Sequence, residues 1–201
     1  MVNNFEQIKK MLTFASEDDF YHLQIIKRKK EHPELGSNSY VVKTYYISSV
    51  EYLELKKDEI INLCEFHDAR ACINLNRRSF EKIAFHAMQK IANQLMNRDF
   101  RSVRKCYESV CGANSNEPNK KWIVDIDGFS IDAMAHAPVV KRMVETIQTL
   151  QAMSIGEAFL QPVRTKNGFH LITSPFRLDL FKEEFPTIDV HKDNPTILYI
   201  K

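Results

Sequence analysis

Asp125 and Asp127, in the run Trp-Ile-Val-Asp-Ile-Asp, are the residues whose types and spacing point most directly to chemistry. Side chains alternate across a strand, so aspartates two positions apart project from one face, while Val124 and Ile126 turn the other way into a core. Two carboxylates ~4 Å apart repel by about 4 kcal/mol at an effective dielectric of roughly 20. A divalent cation removes that repulsion, and hard oxygen ligands suit Mg²⁺ or Mn²⁺. The competing reading is a strand that ends at Asp127-Gly128 with both acids turning into a loop.

A second constellation is Thr165-Lys166-Asn167-Gly168-Phe169-His170. A strand beginning at Gly168 places Gly168, His170 and Ile172 on one face. Glycine lets another group approach the backbone closely, and Lys166 in the turn adds a positive charge. Together they form a phosphate grip, or else a hairpin with a half-buried histidine. A third acid, Asp189 after Ile188, stands just before the last strand. Asp193, in Asp-Asn-Pro, is its alternative, although that triplet is also ordinary turn chemistry. Asp179 competes with both. Arg77 and Arg78 follow a strand end and are read either as reaching a template or nucleotide phosphate or as a solvated helix start. The run Lys27, Arg28, Lys29 and Lys30 is the densest basic stretch, read as a solvated surface that can touch phosphates. Cys64-x-x-His67 with Cys72 nearby has the elements of a zinc site, but the pattern lacks Cys-x-x-Cys and reads as buried thiols and a surface histidine.

The elements that must position these residues follow from periodicity. Apolar spacing predicts helices over residues 4–13, 57–66, 80–96 and 98–111, with an Asn3/Glu6 capping box on the first, Ser79 capping the third and Gly112 closing the fourth. His86 lies off the apolar stripe of its helix. β-branched and aromatic enrichment predicts strands over residues 40–49 and 70–76. That order reads as an α/β module over residues 1–112. The polar stretch 112–121 is a module boundary. Beyond it, strands are predicted at 122–127, 158–165, 168–174 and 196–200 and helices at 139–153 and 176–185. This is a β-α-β-β-α-β order over residues 113–201, the split pattern of ferredoxin-like and RNA-recognition folds. The fold class is therefore α+β: an N-terminal α/β module packed on a C-terminal RNA-recognition-like palm module, together forming one core.

Composition sets outer limits. The chain has 201 residues, is 44% hydrophobic and 27% charged, and carries only 5 glycines and 7 prolines, which excludes collagen-like and low-complexity chains. Its net charge of +2 permits a nucleic-acid partner only if positive charge is clustered. No apolar stretch reaches the ~20 residues of a membrane helix, the first residues lack a signal-peptide pattern, and the four cysteines read as reduced thiols. The expectation is a cytoplasmic protein, or one in a host-cell cytoplasm if phage- or element-encoded, with no membrane partner.

A strand bearing hydrophobic-Asp-hydrophobic-Asp, then a basic turn with Gly-x-His, then hydrophobic-Asp resembles the three motifs of the archaeo-eukaryotic primase superfamily. The matching residues are Asp125 and Asp127, then His170 with Thr165 and Lys166, then Asp189. The segment Arg-Ala-Cys-Ile-Asn-Leu-Asn-Arg-Arg is also similar to the N-terminal unit of that core. The resemblance implies a DNA primase or primase-polymerase, a nucleotidyltransferase that synthesises or extends short nucleic acid from nucleoside triphosphates on a single-stranded template. It implies that Asp125, Asp127 and the third acid hold two Mg²⁺ or Mn²⁺ ions, which activate the attacking 3′-hydroxyl and steady the phosphates. His170 and Lys166, with Thr165, would hold the triphosphate, and Arg77 and Arg78 would assist. The chain has no P-loop and no zinc signature, so a helicase or another replication protein is an expected partner. Two other classes compete: a nucleic-acid- or nucleotide-binding RNA-recognition-like module without chemistry, and a metal-dependent phosphoesterase or nuclease.

Overall fold

A computed structural model describes residues 1–152 and 158–201. Its first half runs β1 (Val2–Asn3), α1 (Phe5–Lys9), β2 (Asp19–Arg28), β3 (Ser39–Ile47), α2 (Val50–His67), β4 (Arg70–Asn74), β5 (Arg78–Ser79), α3 (Phe80–Met96), a 3-10 turn (Val103–Lys105) and α4 (Cys106–Ala113). The second half runs β6 (Trp122–Asp127), α5 (Ala133–His136), α6 (Pro138–Ala152), β7 (Leu160–Arg164), β8 (Gly168–Thr173), α7 (Leu178–Glu184), β9 (Val190–His191) and β10 (Pro195–Ile200). The described residues thus form a mixed α and β protein with seven α-helices and two antiparallel sheets. The first sheet has the order β1-β10-β4-β2-β3, with β5 on β2, and the second has the order β7-β8-β6-β9.

Two features correct the sequence expectation. The N-terminal half is not a parallel α/β unit, because β2 lies between β3 and β4 and pairs antiparallel with each. The final strand, which the pattern assigns to the second module, lies in the first sheet between β1 and β4. The fourth place in the second sheet is filled by β9, two residues long and paired with β6. Residue 153 of the predicted helix 139–153 lies outside the described residues.

Burial explains these positions. Strand β2 packs on both faces: Tyr21, Leu23 and Ile25 join the core beneath α1 and α2, while on the other face, beside the buried His22, Phe20 packs against Ile83 and Ala87 of α3 and Val110 of α4. Ser49 opens α2 by accepting a hydrogen bond from Tyr52 N at 3.0 Å, and Ser79 opens α3 by accepting one from Lys82 N at 3.1 Å. In the second half, Val140, Met143, Ile147 and Leu150 of α6 cover Val124 and Ile126 of β6 and Phe169 and Leu171 of β8. Each such side chain contributes roughly 1.5–3 kcal/mol by leaving water. The opposite face of the second sheet is left to meet the first. Ile123, Val163 and Ile172 enter the core shared with β2 and β4.

Candidate active site

Strand β6 supplies the acids. Its inward residues Val124 and Ile126 are held by α6, so Ile123, Asp125 and Asp127 turn toward the first sheet. The ladder with β8 sets His170 opposite Asp125 and Gly168 opposite Asp127, and directly opposed residues share a face. His170 Nε2 is 3.6 Å from Asp125 Oδ1, and Nδ1 is hydrogen-bonded with Thr196 Oγ1 of β10 at 2.8 Å. The β7–β8 turn is closed by Thr165 N donating to Gly168 O at 2.9 Å and by Gly168 N donating to Thr165 Oγ1 at 3.1 Å. The glycine reading holds: a Cβ on Gly168 would lie 2.0 Å from Ile126 O.

These groups meet in one cleft of about 630 Å³ between the two sheets. Asp125, Asp127, His170, Thr165 and Lys166 line one wall, and Arg28, Lys30 and Arg70 line the other. Burial raises the Asp125 carboxyl above its ordinary value. The negative charges of Asp127 and Asp189 add to this, against His191 and Arg28. Burial, with His191 beside it, pushes His170 down to about 4, so the ring is neutral near pH 7. A carboxylate that resists ionisation beside another acid gains most from a cation.

The remaining predicted residues are distributed unevenly. Asp189 is exposed at the head of β9, and its carbonyl accepts from Asp125 N at 2.9 Å. It stands next to the acid pair but does not line the cleft. Asp193 is no free ligand: it accepts from Arg78 Nη2 at 2.9 Å and Nη1 at 3.2 Å, and from Asn76 Nδ2 at 2.9 Å. Asp179 pairs with Arg177 on α7. Arg78 is fully buried and also donates to Cys111 O at 3.0 Å, so it is a structural cation rather than a phosphate contact. Arg77 turns to Asp19 at 3.2 Å and Glu117 at 3.4 Å, also away from the cleft.

The cations that do face the acids are those of β2 and β4. Arg28 belongs to the basic run, but its direction becomes legible only once 19–28 is a strand, in which Ile26 and Arg28 share a face. Arg70 opens β4 and pairs with Glu31, and Lys166 Nζ lies 3.8 Å from the same carboxylate. Glu31 therefore occupies the anionic position between two cleft cations. His191 enters the cleft through the short strand β9, which carries no periodic signal in two residues. The chain matches no family model, no curated protein and no solved structure. Among the described residues, no helix is long and apolar enough to cross a membrane.

Proposed function

We propose that the chain is a metal-dependent nucleotidyltransferase of the primase or primase-polymerase kind, which joins nucleoside triphosphates into a nucleic-acid strand on a single-stranded template. One observation carries the reading: Asp125, Asp127, His170 and Lys166, picked out as separate motifs, line a single cleft facing Arg28 and Arg70. Carboxylates on one side and cations on the other fit a metal–polyphosphate ligand. The second sheet adds support. Its order β7-β8-β6-β9, built from β6, α6, β7, β8, α7 and β9, follows the split β-α-β arrangement of an RNA-recognition-like palm, with β9 in the fourth place. The cleft face carries Ile123, Asp125, Asp127 and His170, where a base-stacking sheet would carry aromatics, which favours chemistry over simple RNA binding.

The donor set fits Mg²⁺ or Mn²⁺. Among the described residues no group of three or more His, Cys, Asp or Glu is placed to hold a metal ion, so the acid pair would need its substrate's oxygens as further ligands. Magnesium is commonly held by one or two carboxylates plus the phosphates of its substrate, which Asp125 and Asp127 can supply with Asp189 adjacent. The bound cations would lower the pKa of an attacking hydroxyl and neutralise charge on the phosphates. Asp125 and Asp127 would hold them. Neutral His170, fixed by Thr196, offers a ring nitrogen toward the acid pair and its ligand. Arg28, Arg70 and Lys166 hold phosphate oxygens, and Thr165 keeps the Lys166 turn in shape.

The test is incorporation of labelled nucleoside triphosphate on a single-stranded template with Mg²⁺ or Mn²⁺, with and without a primer. Asp125→Asn/Asp127→Asn should abolish divalent-dependent incorporation while leaving the thermal melt intact. Unchanged incorporation removes the acids from the mechanism. Release of nucleoside monophosphates from nucleic acid, without incorporation, assigns the cleft to hydrolysis instead.

A further inference from the structure

Beside the cleft lies a second concavity, of about 270 Å³, that the proposed chemistry does not use. Lys82 and His86 of α3, Asn116 and Lys120 before β6, and Lys192 after β9 form its walls. Asp193 is the one acid among the described lining residues, and the buried Arg78 already neutralises it. Lys82 Nζ donates to Asn116 Oδ1, an uncharged acceptor, and Lys192 Nζ sits 5.2 Å from the Trp122 ring centroid. Lys120 forms no ion pair among the described residues. Three positive charges thus surround a hollow whose one lining acid is already paired, with Asp18 outside the lining as the carboxylate that Lys82 acts on. By contrast, Lys9 is paired with Glu54 at 2.7 Å, Lys56 with Glu59 at 2.9 Å and Lys57 with Glu6 at 3.2 Å.

Position says what kind of anion this is. His191 and Asn194 line the active cleft, whereas Lys192 and Asp193 line this pocket. The β9–β10 connection is therefore a wall one chain thick between the two concavities. A free phosphate or a nucleoside triphosphate fills one of them, while an extended polyanion crosses the wall and contacts both. We propose that the Lys82–Lys120–Lys192 pocket seats a backbone phosphate of a single-stranded polynucleotide whose adjoining stretch lies in the cleft. The inference rests on the nucleotidyltransferase reading for its choice of polyanion. Its contact is electrostatic and sequence-independent.

The experiment measures binding of a fluorescein-labelled 20-nucleotide single strand to the full chain by anisotropy, without metal or nucleotide, across a salt series. Lys82→Gln/Lys120→Gln/Lys192→Gln should weaken binding tenfold or more and flatten the salt slope by about 0.7, the contribution of one single-strand phosphate contact. Lys10→Gln/Lys141→Gln/Lys201→Gln removes the same net charge from exposed sites and should leave both quantities near wild type. Circular dichroism melts confirm that both variants are folded. Equal behaviour of the two triple variants overturns the proposal. So does binding of inorganic phosphate or tripolyphosphate that the pocket lysines control while oligonucleotide binding stays unchanged, which marks a small-anion site. If incorporation ignores Asp125→Asn/Asp127→Asn while the pocket variant still loses the strand, the cleft chemistry falls and the pocket stands. The reverse result removes the pocket alone.

Discussion

Gly168→Ala tests whether the two site-bearing strands approach as closely as the acid–histidine geometry requires. The new Cβ would lie 2.0 Å from Ile126 O and 3.0 Å from both Asp127 Cα and Ile126 C. An ordinary carbon–oxygen contact is about 3.3 Å, so the strands fall short by roughly 1.3 Å. All three neighbours are backbone, so no side chain can rotate away. Overpacking of this kind costs ~1–3 kcal/mol, and a backbone clash belongs at the upper end. At about 2–4 °C per kcal/mol for a chain of this size, Tm should fall by roughly 6–12 °C. If β8 instead yields by ~1 Å, Asp127 shifts relative to His170 and catalysis should drop about 100-fold. Gly112→Ala is the control, because it lies in α4 with nothing within 4 Å of the added carbon. There helix propensity favours alanine by up to ~1 kcal/mol, and Tm should rise slightly. Thermal melts of both variants, with incorporation assays on the folded protein, decide the matter. A Gly168→Ala melt within about 2 °C of wild type, with full activity, would refute the close-approach argument.

Three further outcomes are expected. Asp193→Ala leaves Arg78 buried without its partner and should cost about 3 kcal/mol, read as a lower urea midpoint at unchanged m, whereas a metal-ligand role would lower activity without that stability loss. Glu108 is held below its ordinary carboxylate value of 4.5 first by His22 and then by Tyr46 and Thr44. Its folded pKa is depressed, so its stabilisation is present above pH ~4.5 and is lost as pH falls below it; Glu108→Gln should show a flatter decline in urea midpoint between pH 5.5 and 3.5. Glu31→Gln releases Arg70 and Lys166, so nucleotide KM should fall several-fold if those cations grip the triphosphate; a higher KM would mean that Glu31 positions them.

The elements whose polar and apolar residues keep a clear period are legible. Residues 122–127 alternate Ile123/Asp125/Asp127 against Val124/Ile126, and the strand appears at those residues. Residues 80–96 show an apolar stripe and a serine cap, and the helix has the same bounds. Strand β2 escapes the reading although Tyr21, Leu23 and Ile25 alternate with His22 and Gln24, because its basic end is the more conspicuous feature. The long α2 begins seven residues before its predicted start, since Ser49 caps it. The predicted 98–111 helix is interrupted because Arg98 adopts a left-handed φ of 57° and stops α3, and α4 starts only at Cys106. The Asn3/Glu6 box does not form, because Asn4 turns its side chain to Arg164 O and Ile197 O and Glu6 pairs with lysines.

What local reading misses about the site comes from one nonlocal strand. Arg77 and Arg78 look accessible in sequence, yet Arg78 is enclosed by an aspartate 115 positions away. The cations that replace them, Arg28 and Arg70, face Asp125 and His170 only because the two sheets are held in a fixed relation. The shared apolar core and strand β10 supply that relation. The strand pairs with β4, which carries Arg70, and its Thr196 Oγ1 is hydrogen-bonded with His170 Nδ1 on β8. Thr196 is itself fully buried, so the histidine's partner cannot be exchanged for water. The Thr196 hydroxyl, on a strand that enters the first sheet after the chain has completed the second, thus adds a polar link between the acidic and cationic walls to the apolar core that the two sheets share. For that reason, the orientation of His170 depends on the first sheet as much as on its own ladder.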